Sequence, residues 1–388
     1  MIRPRIVVLG MMTKMPVAGV IWQNLHYLLG FERLGYEAWY VEAHGITPSA
    51  FCSGVDGDLG SARAASFIHR TLDRVGLGAQ WAFHALHDDG AVHGLDPARL
   101  RELYRSASVV VNLHGGTIPR EDHTSGGPLV YLETDPGLLQ AEIAAGMPET
   151  LAFLEPHSTL FTFGERHALP GCGLPVSKGF TFLPTRQPVV VDLWEDAAPQ
   201  GDTFTTIGNW RQRWRDVTID GESYTWSKHH EFARVLDLPA RTGARLELAL
   251  AGYRPSDEAA LTRAGWRVRE ASSISVDPDT YRRYVAGSRA EFTVAKDQNV
   301  RLRTGWFSDR SATYLAAGRP VITQDTGFGE VLPVGEGLFA FTTVEEAAAA
   351  VAEVEADPVR HGKAAAGLAR DHFEATAVLR HLLDRVQG

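Results

Sequence analysis

Short runs of aliphatic and β-branched residues alternate along this chain with longer stretches whose apolar positions recur every three or four residues. That rhythm is the pattern of parallel strands covered by helices, and it predicts the α/β class. In the first half the apolar runs fall at 5–9, 37–41, 108–113, 128–132 and 159–163, each followed by Gly, Pro or Asp and then a helix-like stretch. The first such helix is expected over 20–34, with Gly35 in a left-handed closing position. The pattern restarts with a strand at 204–208, a helix at about 227–236, and strands near 246–250, 266–269, 291–295, 320–323 and 338–341. Amphipathic helices are expected at 345–355 and 371–386.

A chain of 388 residues exceeds what one core usually organises. Residues 184–202 carry prolines and acidic residues without helical periodicity, so the boundary is placed there. The expected division is a Rossmann-like domain over 1–185, a linker over 186–202, a second Rossmann-like domain over 203–370, and a terminal helix over 371–388 positioned to cross back onto the first domain. Two such sheets in series would face a central cleft.

Composition narrows the function. With 44% hydrophobic and 22% charged residues the chain reads as a folded soluble protein. Its formal net charge of -9 argues against a nucleic-acid partner, although arginines near 211–215 and 301–310 can make a local anion site. Cys52 and Cys172 form no metal-type spacing, and idle thiols are expected, with cytoplasmic residence as the default. The opening apolar run 6–10 is interrupted by Lys14 and Pro16 before a signal-peptide core forms, and no apolar stretch is long enough for a membrane span.

The most informative segment is 304–322. A turn bearing Gly305 leads to Ser308 as the expected N-cap, a helix runs to Gly318, and a strand opened by Pro320 follows. Backbone N–H groups around Asp309 to Ala312, together with the positive end of the helix dipole, suit a diphosphate, and Ser308, Arg310 or Ser311 can add side-chain donors. Each also has a plainer reading: a cap for Ser308, a surface ion pair for Arg310. Lys296 closes the buried run 292–296, where the carboxyl end of a strand should face the cleft, and is expected to reach a phosphate.

The sequence Ala316-Ala317-Gly318-Arg319-Pro320-Val321-Ile322, followed by Gln324-Asp325-Thr326-Gly327, resembles the donor-binding segment of GT-B glycosyltransferases. The likeness is tight over about 304–342 and loose elsewhere. It implies two Rossmann-like domains closing on a nucleotide sugar, with the nucleotide held by the C-terminal domain and the acceptor received by the N-terminal one. By that resemblance Gln324 and Asp325 lie where donor-sugar hydroxyls are contacted, and Arg211, in 208–211, lies where a basic side chain approaches the phosphates. Lys228 can supply a further charge but opens a predicted helix. The loop 11–19 is similar to the small-residue loop that opens toward the diphosphate, Gly19 allowing close backbone approach. Two departures stand out: Thr313 occupies the place of the ribose-binding glutamate, and Gly305 that of the first of two paired glutamates.

On the acceptor side, two strand ends carry polar groups where an open α/β sheet keeps its ligands: 109–116, with His114, and 130–136, with Asp135. His114 is a candidate base, with Asp135 orienting it or serving as base itself. Loop hydrogen bonding and an Asp-Pro turn are the alternatives. His26, Trp22 and Tyr27 are expected in the core. Asp277-Pro278-Asp279 has the look of a metal site but reads better as a helix cap, so no metal is expected, and the nucleotide sugar is a substrate and not a cofactor. The expected reaction is transfer of a sugar from a nucleoside-diphosphate donor to an acceptor hydroxyl. A nucleotide-sugar epimerase or hydrolase on the same fold, and a two-lobed sugar-binding protein, are the alternatives.

Overall fold

The computed structural model describes residues 3–55, 57–195, 200–212 and 214–387. Its first sheet has eight strands in the spatial order 92–93, 81–84, 37–42, 5–9, 107–113, 129–133, 159–162, 182–184. All neighbours are parallel except the antiparallel pair 81–84 and 92–93. The second sheet has six parallel strands in the order 267–270, 245–251, 203–209, 290–293, 321–324, 338–341. In each sheet the order reverses beside the first strand, and ligands of open α/β sheets bind at the carboxyl ends of strands flanking such a reversal.

The expected strands all form, within two residues at their ends. Strands 81–84, 92–93 and 182–184 and the hairpin 217–224 were not foreseen, because short edge strands give too few alternating positions to read. The helix expected at 227–236 is only His229–Ala233, the one at 371–386 is Ala375–Gln387, and a further helix, Pro358–His372, precedes it. The first helix, Ala18–Arg33, buries His26, Trp22 and Tyr27 as expected.

The connecting segment is packed where it is described. Val189, Val190 and Val191 are buried. Val189 pairs with the break between the last two helices: its N–H donates to Phe373 O at 2.7 Å, and its carbonyl accepts from Ala375 N at 2.8 Å. Residues 196–199 of that segment lie outside the described residues. The terminal helix Ala375–Gln387 returns onto the first helix, as expected, and meets it at Gly30, where an added Cβ would stand 2.5 Å from Leu379 Cδ1 and 3.0 Å from Ala375 Cβ.

Candidate functional site

The loop 11–19 after the first strand of the N-terminal sheet and the helix Asp309–Ala316 of the C-terminal one approach each other across the cleft, and two adjoining cavities lie along the seam. The larger, about 460 Å³, is lined by Gly19 and Pro16 on one side and by Gly208, Asn209, Ser308 and Arg310 on the other. The smaller, about 240 Å³, is lined by His114, Glu133, Thr134 and Asp135 of the N-terminal sheet and by Arg215 and Trp306 of the second domain. Asp309 lines both. Gly19, Ser308, Asp309, His114 and Asp135 therefore all lie along this seam.

Ser308 is the N-cap residue by backbone angle, but its hydroxyl makes no cap hydrogen bond. The cap reading of its side chain is thus corrected, and it faces the larger cavity. Arg310, expected to offer its guanidinium to a phosphate, is engaged at all three nitrogens: Nε with Glu291, Nη1 with Ile207 O at 2.7 Å, and Nη2 with Thr293 Oγ1 at 3.1 Å. Glu291 is fully buried and needs that countercharge. Ser311 points into the body of the domain and lines neither cavity.

Arg211 is tied bidentately to Asp257 at 3.0 and 2.6 Å and lines a different depression, beside Trp214. Gln324 donates to Glu231 at 2.5 Å and accepts from Ala295 N at 3.3 Å, and Asp325 pairs with Arg303 at 3.3 Å and caps Gly327 N at 2.8 Å. Neither borders the two cavities. The resemblance placed these three side chains by sequence register, but ion pairs engage Arg211 and Asp325, and hydrogen bonds engage Gln324.

Lys228, passed over as the start of a helix, is buried, and its Nζ lies 3.4 Å from the Thr293 hydroxyl that Arg310 also binds. Burial, then Arg310 and Lys296, hold its ammonium well below the ordinary lysine pKa. Its sequence signal was a lone lysine two residues after Trp226. Lys296 is partly buried, 3.0 Å from the Trp226 ring centre and 3.6 Å from Asp135. Burial pulls its pKa down to about 8 although Asp135 opposes this. Three basic side chains thus gather near the N-terminus of Asp309–Ala316, where the Asp309 carboxylate accepts from the amides of Asp309 and Arg310 and Ala312 N donates to Ser308 O at 3.0 Å.

Around the smaller cavity, Asp135 meets Arg215 at 3.2 Å as well as Lys296. Burial pushes its carboxyl up, but those two cations outweigh it and hold the pKa below the ordinary value. His114 takes a left-handed backbone, φ 65°, and its Nδ1 lies 3.0 Å from Thr134 Oγ1. Its expected orienting partner, Asp135, acts on it only through charge. Burial lowers His114 to about 4, so the ring is neutral at neutral pH. Its Nε2 is buried with no partner among the described residues.

The two departures from the glycosyltransferase pattern have physical causes. At Gly305, φ 76°, a Cβ would stand 2.7 Å from Arg166 Cγ, so a glutamate does not fit. Thr313 turns its hydroxyl back onto Arg310 O at 2.7 Å, inside its own helix. Asp277 caps Thr280 N at 2.7 Å, as expected of a helix start. Cys52 and Cys172 are free thiols. No helix among the described residues is long and apolar enough to cross a membrane.

No known family profile and no curated protein matches the sequence. Solved structures do match it. AviGT4, a glycosyltransferase involved in avilamycin A biosynthesis, superimposes with a TM-score of 0.56 at 14% identity over 99% of this chain and 97% of its own. Anabaena HepE, in complex with UDP and glucose, gives 0.56 at 12% identity over 99% of this chain and 100% of its own. An alpha-glucosyltransferase in complex with UDP and a 13-mer DNA gives 0.57 at 11% identity over 100% of both chains. Two parallel sheets facing one cleft, matched along their whole length by these structures, give the chain the GT-B fold.

Proposed function

We propose that this chain is a glycosyltransferase that moves a sugar from a nucleoside-diphosphate donor to a hydroxyl of a small-molecule or glycan acceptor, without a metal. The observation that carries the reading is the amide-bearing start of helix Asp309–Ala316, open on a cavity between the two domains and backed by Lys228, Arg310 and Lys296. Such an array stabilises the charge that develops on a departing diphosphate. In this reading Gly19, Ser308 and the amides of Asp309 to Ser311 receive the diphosphate, which displaces the Asp309 carboxylate from the first two of them. Lys228 supplies charge to it from its place beside Thr293, and Arg310 does so from its pair with Glu291. Arg211, Gln324 and Asp325 shape the surrounding walls.

The smaller cavity then receives the acceptor. His114 offers Nε2 to it, and Asp135 fixes Lys296 and Arg215 at its border. Cytoplasmic residence belongs to the same proposal and is supported by the two free thiols.

Since HepE and the alpha-glucosyltransferase hold UDP, that diphosphate is the first probe. UDP without added metal should raise the unfolding free energy by about 2.7 kcal/mol at a hundredfold excess over its dissociation constant. Stabilisation by magnesium complexes alone would remove the metal-free site. Labelled sugar appearing on an added acceptor separates transfer from epimerisation or hydrolysis, which need none, and from simple sugar binding.

A further inference from the structure

We propose that the cavity of about 240 Å³ beside His114 seats one hydroxyl-rich ring of the acceptor, a monosaccharide or cyclic polyol, and that Glu133 takes the proton from its attacking hydroxyl. The inference rests on the glycosyl-transfer reading and extends it to the acceptor and the base.

Glu133 ends the strand Leu129–Glu133, borders this cavity and is only 2% exposed. Its Oε2 is occupied twice, by Thr162 Oγ1 at 2.6 Å and Gln140 Nε2 at 2.7 Å. Its Oε1 is buried with no partner among the described residues, as is His114 Nε2 at the border of the same cavity. Two unpaired polar atoms at one small cavity each carry a desolvation cost that a ligand's hydroxyls would relieve. The described residues include no cation paired with Glu133, Arg215 being held by Asp135 instead.

The class of acceptor follows from the lining. Four carboxylates, those of Glu133, Asp135, Glu142 and Asp309, border the space and accept hydrogen bonds. A ring rich in O–H donors satisfies them, whereas an apolar acceptor would bury them dry. The volume is that of about eight waters at roughly 30 Å³ each, enough for a single ring.

Both bases border the cavity with one unpaired atom each, and burial acts on them in opposite directions. Burial lifts the Glu133 carboxyl to about 7, with Thr162 and Gln140 opposing, while the same burial drops His114 to about 4. A base works best with a pKa near the operating pH, so the carboxylate is the better matched group. The other charged or titratable groups around it are Tyr131 on its own strand, Asp135 just beyond it, Glu142 on Leu138–Ala144, Lys14 from the first loop, and Arg215, Lys296 and Asp309 from the second domain. In the step, the acceptor oxygen bonds to the anomeric carbon as that carbon's bond to the β-phosphate oxygen breaks. The bonding pair leaves with the nucleoside diphosphate, the proton passes to Oε1, and the configuration inverts.

The test follows UDP release from UDP-glucose with a panel of monosaccharides and cyclic polyols, for wild type, Glu133→Gln and Glu133→Asp, with UDP binding measured in parallel. Wild type should show kcat/KM rising through about pH 7, and Glu133→Gln should lose that rise and about 10²–10⁴ in turnover while binding UDP within about threefold of wild type. Glu133→Asp should keep the rise at lower turnover. Turnover by Glu133→Gln close to wild type, an unchanged pH profile, or product with retained configuration would overturn the assignment. A wild type that neither binds UDP nor releases it from any donor would instead overturn the underlying reading, and this inference with it.

Discussion

Trp306 donates its indole N–H to the backbone carbonyl of Thr134 at 2.9 Å, a hydrogen bond that spans the cleft. The same Thr134 meets His114 through its hydroxyl at 3.0 Å. The turn ahead of helix Asp309–Ala316 is thereby fastened to the strand end that carries Glu133, a link that joins those from Asp135 to Arg215 and Lys296 across the same seam.

Trp306→Phe keeps the ring and deletes that bond, worth about 0.5–1.5 kcal/mol. We expect kcat/KM to fall by up to about tenfold with UDP affinity unchanged, since the bond lies on the acceptor side. Steady-state kinetics beside calorimetric UDP titration checks this, and an equal loss in UDP affinity would contradict it.

Lys228 and Arg310 should separate. Lys228→Ala is expected to weaken UDP binding by about 1.5–3 kcal/mol, the range for hydrogen bonds to charged groups, while binding of free uridine stays nearly the same. Arg310→Ala leaves Glu291 buried without its countercharge and should cost about 3–5 kcal/mol of folding stability. Denaturant unfolding of both variants, with ligand titrations, distinguishes a binding cation from a structural one. If Arg310→Ala unfolds like wild type, the structural assignment is wrong.

Stability should carry the signature of Glu133. Its folded pKa of about 7 lies above the ordinary 4.5, so between those values the folded chain holds a proton that the unfolded chain has released. Stability contributed by this group therefore falls as pH rises from 4.5 to about 7, by at most roughly 3 kcal/mol. His114, lowered to about 4 from 6.5, works in the opposite sense and loses stability as pH falls through that window. The difference between wild type and Glu133→Gln isolates the carboxyl. Urea midpoints of the two proteins measured across this range should show wild type losing stability relative to the variant as pH rises, and parallel curves would exclude the shift.

Gly30→Ala is expected to destabilise the protein by about 1–3 kcal/mol, the cost of overpacking. A mid-helix alanine would ordinarily gain about 0.5–1 kcal/mol over glycine. Here the new methyl would stand 3.0 Å from Ala375 Cβ, so the terminal helix must shift. Thermal unfolding of the variant decides the sign.

The sequence by itself determined the α/β class, the central strands of both sheets and the place of helix Asp309–Ala316. These follow from periodicity and from Gly and Pro punctuation, which act over a few residues and are written locally. It also marked His114 and Asp135, because strand ends are where open sheets keep their ligands. What only the tertiary structure decided was which polar and charged side chains remain available to a ligand. Arg211, Arg310, Gln324 and Asp325 stand at plausible positions in the chain, yet Asp257, Glu291, Glu231 and Arg303, between 19 and 93 residues away in sequence, have engaged them. Lys228 and Glu133 likewise depend on burial and on partners distant in sequence within their own domains, and Trp306 on a partner in the other domain. The energy of a charge depends on its distance to other charges and to water, and those distances exist only once the chain has folded.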